Sequence, residues 1–192
     1  MKTLGKLLIV ILLLAINSCK DKTNPVSPSN VYTIMESNFE GQGQPSLSGW
    51  QEGYPYYGYR MPKYSFSNDV PSNGGKWSIK VSPPDTTFSV LLFTAYPEQP
   101  SQSKQFRLTF WCKDQFQSNF YDVSLGAWSG SHGYSIPVKK NYSEIWVQDT
   151  INYYSDTNTI DYFQIFISMF KPNSESDTSK YILFDNFKLE EY

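Results

Sequence analysis

Histidine, cysteine and basic charge are all scarce in this sequence, and each shortage removes a class of function. The single histidine, His132, cannot build a multi-histidine metal centre. A Ser-His-Asp site would have to use it, and no Gly-x-Ser-x-Gly elbow is present. The two cysteines, Cys19 and Cys112, are too few for a disulfide framework. Sixteen basic residues face 18 acidic ones, so the chain lacks the basic footprint that nucleic acid requires. No P-loop, dinucleotide fingerprint or zinc-ligand spacing occurs. A glycosidase needs two carboxylates across a cleft, but Asp114, Asp122, Glu144 and Asp149 are unclustered and Glu-x-Asp-x-Glu is absent. The sequence therefore points away from catalysis. Nor does any stretch after residue 30 keep a helical apolar stripe for long.

What is present begins with a short basic start, Met1–Lys6, and the one long apolar run, Leu7–Ile16. The run is too short to span a bilayer as a stable helix and has the layout of a secretory signal. It ends Ile16-Asn17-Ser18-Cys19, which resembles a bacterial lipoprotein signal. That resemblance implies cleavage before Cys19, acylation of its thiol, and a lipid as the only membrane link. The other reading is a secreted protein or signal anchor with an incidental cysteine. Lys20-Asp21-Lys22 looks like the surface-export tag of some Gram-negative lipoproteins, which implies the outer membrane or cell surface. Thr23–Asn30, rich in proline, serine and asparagine, reads as a tether. The expected organisation is a signal peptide at 1–18, an acylated cysteine and tether at 19–30, and one domain at 31–192.

Aromatic residues make up 17% of the chain against 18% charged, which suits a β-rich domain. Alternation marks the strands. Tyr32–Phe39 is the first candidate. Trp77, Ile79 and Val81 point inward together, and Phe88–Ala95 is apolar on both faces, as a central strand should be. Phe106, Leu108, Phe110 and Cys112 share one phase, which makes Cys112 a buried, inert thiol. Tyr121, Val123, Leu125 and Ala127 form another set. Ile145, Val147 and Ile151 share a phase within Glu144–Ile151. Phe163, Ile165, Ile167 and Met169 share one within Ile160–Phe170, with Tyr162, Phe166 and Phe170 opposite. The last strand, Tyr181–Glu190, places Leu183, Phe187 and Leu189 in one phase, and Asp185 falls among them. A carboxylate on an apolar face is costly unless paired, hydrogen-bonded or metal-bound. About eight strands with turn-rich spacers give an all-β fold, a two-sheet antiparallel sandwich or barrel.

Three stretches then stand out together: Asn38-Phe39-Glu40 followed by Gly49-Trp50, Gly74–Val81, and Leu183–Leu189. Their order and spacing resemble the galactose-binding-like jelly rolls, particularly the carbohydrate-binding modules of bacterial glycan-degrading systems. The resemblance implies a two-sheet jelly-roll β-sandwich with neighbouring first and last strands, non-catalytic glycan or polysaccharide binding, and a structural calcium. The matching calcium ligands would be Glu40 and Asp185, with carbonyls near Asn73 to Lys76. Calcium tolerates carbonyls beside carboxylates. The alternative is an Asp185 that accepts backbone N–H bonds at a strand corner, with Glu40 solvated.

Two aromatic stretches are candidate ligand sites. Trp50–Arg60 presents Trp50, Tyr54, Tyr56, Tyr57 and Tyr59 among glycine and proline, with Gln51, Glu52 and Arg60 as polar partners for hydroxyls. Trp50 has a competing reading as a core residue. Trp128–Tyr134, a Gly-rich loop, carries Trp128, His132 and Tyr134. Trp111, Tyr162 and Phe166 face away from the inward residues of their strands, where they line a concave sheet surface or, equally, are covered by a loop. A protein partner on the same aromatic loops is the leading alternative to a glycan, since one sandwich hosts many functions.

Overall fold

Long alternating strands build two stacked sheets. A computed structural model describes Val31–Tyr192, apart from residues 54–60, 86, 99–100, 102–104, 115–119, 138–142, 156–158 and 172–178. The first sheet runs in the order β11 (Val147–Tyr154), β8 (Gln105–Lys113), β13 (Ile182–Glu191), β6 (Ser78–Ser82), β5 (Lys63–Ser67), and β1 (Tyr32–Ser37) also pairs with β13. The second runs β10 (His132–Pro137), β9 (Tyr121–Ser129), β12 (Tyr162–Phe170), β7 (Phe88–Ala95), β4 (Trp50–Glu52). A two-residue ladder joins β2 (Glu40–Gly41) to β3 (Gln44–Pro45). Every ladder between these strands is antiparallel. The architecture is the expected jelly-roll β-sandwich, with first and last strands adjacent.

The core lies between the sheets and is aromatic at its centre. Phe187 stacks on Phe110 with centroids 5.0 Å apart and planes 8° apart. It also meets Trp50 edge-on at 5.0 Å and Phe39 at 6.0 Å. Such pairs add to the area they bury. The inward sets expected on β8, β9 and β12 are all buried, as is β7 on both faces. Cys112 is buried among them, and its thiol donates to Asp149 Oδ2 at 3.4 Å.

Three expectations about strands need correction. The phase of β13 is not continuous. Ile182 and Phe184 point into the core opposite Val81 and Ile79. Asp185 pairs with Trp111, yet Lys188 pairs with Thr109, so a β-bulge intervenes, and Asn186 adopts φ 49°. One extra residue reverses the alternation. Asp185 is therefore buried at the bulge rather than on the core face of Phe187 and Leu189. Ile145 lies before β11 and is 71% exposed; the strand starts at Val147 and continues to Tyr154. Strands β2 to β5 and β10 add to the expected number because short or half-exposed strands carry little apolar alternation.

A second, smaller apolar cluster forms on the outer face of the second sheet. Val90, Leu92 and Phe166 are buried there with Phe88 alongside. Gly53 donates its N–H to the Val90 carbonyl, and a Cβ at this position would run into the Val90 side chain and touch that of Leu92. Phe166 is thus outward-facing, as expected, but covered rather than open.

Candidate functional site

The outer face of the second sheet collects aromatic side chains from three adjacent strands. β12 pairs Tyr162 with Trp128 of β9, and on its other side Phe163 pairs with Ala95 of β7, which brings Tyr96 beside Tyr162. The Trp128 and Tyr162 rings are parallel to within 9° with centroids 5.8 Å apart. Tyr96 stands 5.9 Å from Tyr162, tilted by 42°, and is 68% exposed. Gly126, Gln164 and Thr94 follow in the next row across the same strands, so amide and hydroxyl groups border the rings. Trp128 Nε1 is buried and has no hydrogen-bond partner among the described residues.

The local backbone holds Trp128 in place. Gly130 and Ser131 close a two-residue hairpin between Ser129 and His132, with Gly130 at φ 57°. This tight turn and strand β10 replace the Gly-rich loop expected there. Asp161 donates its N–H to the Trp128 carbonyl at 2.8 Å, and its side chain accepts from the Gly130 N–H at 2.6 Å. Gly133 pairs with Trp128, and the indole lies where a Cβ at 133 would stand. Only glycine permits that close approach.

The other expected ligand residues fare differently. Trp50 is buried, stacks on Phe39 at 5.5 Å, and donates Nε1–H to Ser37 Oγ at 2.9 Å. It belongs to the core, because its ring packs edge-on against Phe93 at 5.4 Å and against the first sheet's Phe187. Tyr54, Tyr56, Tyr57, Tyr59 and Arg60 lie outside the described residues. His132 is exposed at the hairpin and pairs with Ser129, in the alternate phase to Gly133 and Trp128, so it does not join the aromatic row. The backbone of Tyr134 pairs with Ala127 in that same alternate phase, and its side chain lies outside the described residues. Trp111 faces outward from the other sheet, opposite Gln148. Tyr96 was missed because it follows its strand's last paired residue; its signal was the continued phase of Leu92 and Thr94.

A second feature is the carboxylate pair. Glu40 Oε1 accepts the backbone N–H groups of Lys76 and of Trp77, the latter at 2.9 Å. Asp185 Oδ1 accepts the Asn186 N–H at 2.8 Å, while Oδ2 is buried with no hydrogen-bond partner among the described residues. A Cβ on Gly74 would stand 2.6 Å from Oδ2, and one on Gly75 would collide with the Glu40 carboxylate. Asn186 Nδ2 donates to the Asn73 carbonyl at 3.2 Å. Burial pushes the Asp185 carboxyl up to about 7, and the nearby Glu40 charge adds to the rise. Among the described residues no group of three or more His, Cys, Asp or Glu side chains gathers for a metal. Two carboxylates with an orphaned oxygen, beside the backbone of residues 73–76, do fit a hard cation that takes mixed carboxylate and carbonyl ligands.

No family model matches the chain, and no curated protein matches it. Solved structures do. The family 22 carbohydrate-binding module joined to a GH10 module in Clostridium thermocellum endo-1,4-β-D-xylanase 10B, complexed with xylohexaose, aligns at TM-score 0.57 and 10% identity over 84% of this chain. The chain spans 28% of that structure. The isolated CBM22-1 xylan-binding domain of a Paenibacillus barcinonensis xylanase aligns at TM-score 0.53 and 11% identity, over 83% of this chain and 94% of that one. The enzymatically active domain of bacteriophage CBA120 tailspike protein 4 aligns at 0.55 and 15%, over 79% of this chain and 21% of that one. At such identities the likeness establishes the fold: this chain has the jelly-roll β-sandwich of carbohydrate-binding modules.

Proposed function

We propose that the protein binds carbohydrate without cleaving it, through the outer face of its second sheet. The observation that carries this is the Trp128–Tyr162 pair extended by exposed Tyr96. Sugar rings expose C–H faces that pack on aromatic rings, and their hydroxyls need planar polar partners such as Gln164. The fold shared with xylan-binding modules supports the reading. A β-linked plant polysaccharide such as xylan is the ligand class to try first. The sequence of residues 1–30 supports placement of this domain on a lipid-anchored envelope lipoprotein, acylated at Cys19 and facing the cell surface. A calcium ion held by Glu40, Asp185 and carbonyls of residues 73–76 would tie the last strand to the β5–β6 connection. It would neutralise an acid that is otherwise buried beside a like charge.

Affinity electrophoresis through gels containing xylan, mannan or galactan tests the function. Retardation by at least one glycan, sharply weakened by Trp128→Ala/Tyr162→Ala with unchanged thermal stability, is the expected result. Free migration of the unmodified protein through every gel would refute it.

A further inference from the structure

The outer face of the first sheet carries a groove of different character. Strands β11, β8 and β13 line a cavity of about 470 Å³. Two rows of side chains cross it. In one, Asn152 pairs with Arg107 and Arg107 with Glu190; in the other, Thr150 pairs with Thr109 and Thr109 with Lys188. Gln148 stands at the far end of β11.

The charges here are tied to one another. Glu190 accepts from Arg107 Nη2 at 3.0 Å and from Lys188 Nζ at 2.6 Å. Glu36 of β1 pairs with Lys188 on the same row. Arg107 and Lys188 of the lining thus meet Glu190, and Glu36 beside Lys188 supplies the second carboxylate, so the groove and its rim leave little net charge to select a phosphate or an acidic chain. What it offers is oriented hydrogen-bonding capacity. Amides and hydroxyls both donate and accept, and the Arg107 Nε–H is buried without a partner among the described residues. An aromatic ring flanks each end. The Arg107 guanidinium lies 4.8 Å over the Tyr192 ring, and Trp111 stands four residues along β8, roughly 13 Å away on an extended strand.

We infer that this groove is a second binding site for a neutral, hydroxyl-rich chain, on the opposite face of the sandwich from Trp128 and Tyr162. The inference rests on the glycan-binding reading above and extends it: one domain holds two glycan segments, and so cross-links polysaccharide.

The test is calorimetric titration of the protein with xylohexaose, β-1,4-galactotriose and mannohexaose, with light scattering on the corresponding polymers. Gln148 and Asn152 are exposed on an edge strand, so Gln148→Ala/Asn152→Ala should leave the melting temperature unchanged. The Trp128→Ala/Tyr162→Ala variant should keep residual affinity for one probe. Adding Gln148→Ala/Asn152→Ala should lower that residue of binding at least tenfold. Only the unmodified protein should increase scattering by the polymer. Loss of all binding in Trp128→Ala/Tyr162→Ala, or residual binding indifferent to Gln148 and Asn152, overturns the second site and leaves the first intact. Absence of binding by the unmodified protein to every probe overturns both.

Discussion

Glu40 and Asp185 press their carboxylates against adjacent glycines, Glu40 against Gly75 and Asp185 against Gly74. One acid comes from the second strand and the other from the last, so the adjacent glycines meet both ends of the domain's sequence. Neither acid has a cationic side chain among its hydrogen-bond partners or ion pairs in the described residues.

This arrangement makes stability depend on pH and on calcium together. The Asp185 carboxyl is raised from an ordinary 3.8 to about 7, mainly by burial. A raised carboxyl stabilises the fold most below its unfolded value, and that contribution is lost as pH rises through about 7. The metal-free protein should therefore melt at lower temperature at pH 8 than at pH 5. Calcium competes with the proton, so it should raise the melting temperature by several degrees at pH 8 and much less at pH 5. Thermal melts with calcium or a chelator at both pH values check this. Equal curves at pH 8 would exclude the ion.

The aromatic face should respond to a change that touches no ligand directly. Gly133→Ala forces the Trp128 ring off its present position. Glycan affinity should fall roughly tenfold, against roughly a hundredfold for Trp128→Ala. The melting temperature of either variant should move little, because both positions lie outside the main core. Titration calorimetry and a thermal melt on each variant separate the two effects.

Phe187 is the residue on which the core converges, in ring contact with Phe39, Trp50, Phe110 and Phe184. Phe187→Ala should cost about 3–5 kcal/mol. For a domain of this size that lowers the melting point by roughly 6–20 °C. A loss within the error of the melt would mean that the surrounding rings collapse into the space.

Cys112 should stay inert while the domain is folded. Burial raises its thiol pKa, and the Asp149 charge raises it further. A thiol reagent at pH 8 should label it only after denaturant unfolds the chain, with labelling and unfolding sharing one midpoint. Fast labelling without denaturant would contradict the closed core.

Much of the sandwich was legible because core alternation is a local property. A strand with one buried face shows it whatever its neighbours are, and so the inward sets of β8, β9 and β12 stand in the sequence unaided. The doubly apolar Phe88–Ala95 likewise announced a central strand. The aromatic face was half legible: Trp128 and Tyr162 each stood out, but Tyr96 lay beyond its strand's paired residues and Trp50 proved to be core. What joined them was strand order, which places β9, β12 and β7 side by side. The same holds for the two acids. The tertiary structure alone decided that β13 bulges at Asn186, that Asp185 leaves the core phase there, and that Glu40 arrives beside it. A bulge and a strand order are set by which distant backbone groups complete each ladder. That choice is made by long-range hydrogen bonding and packing, and a local pattern of side chains does not carry it.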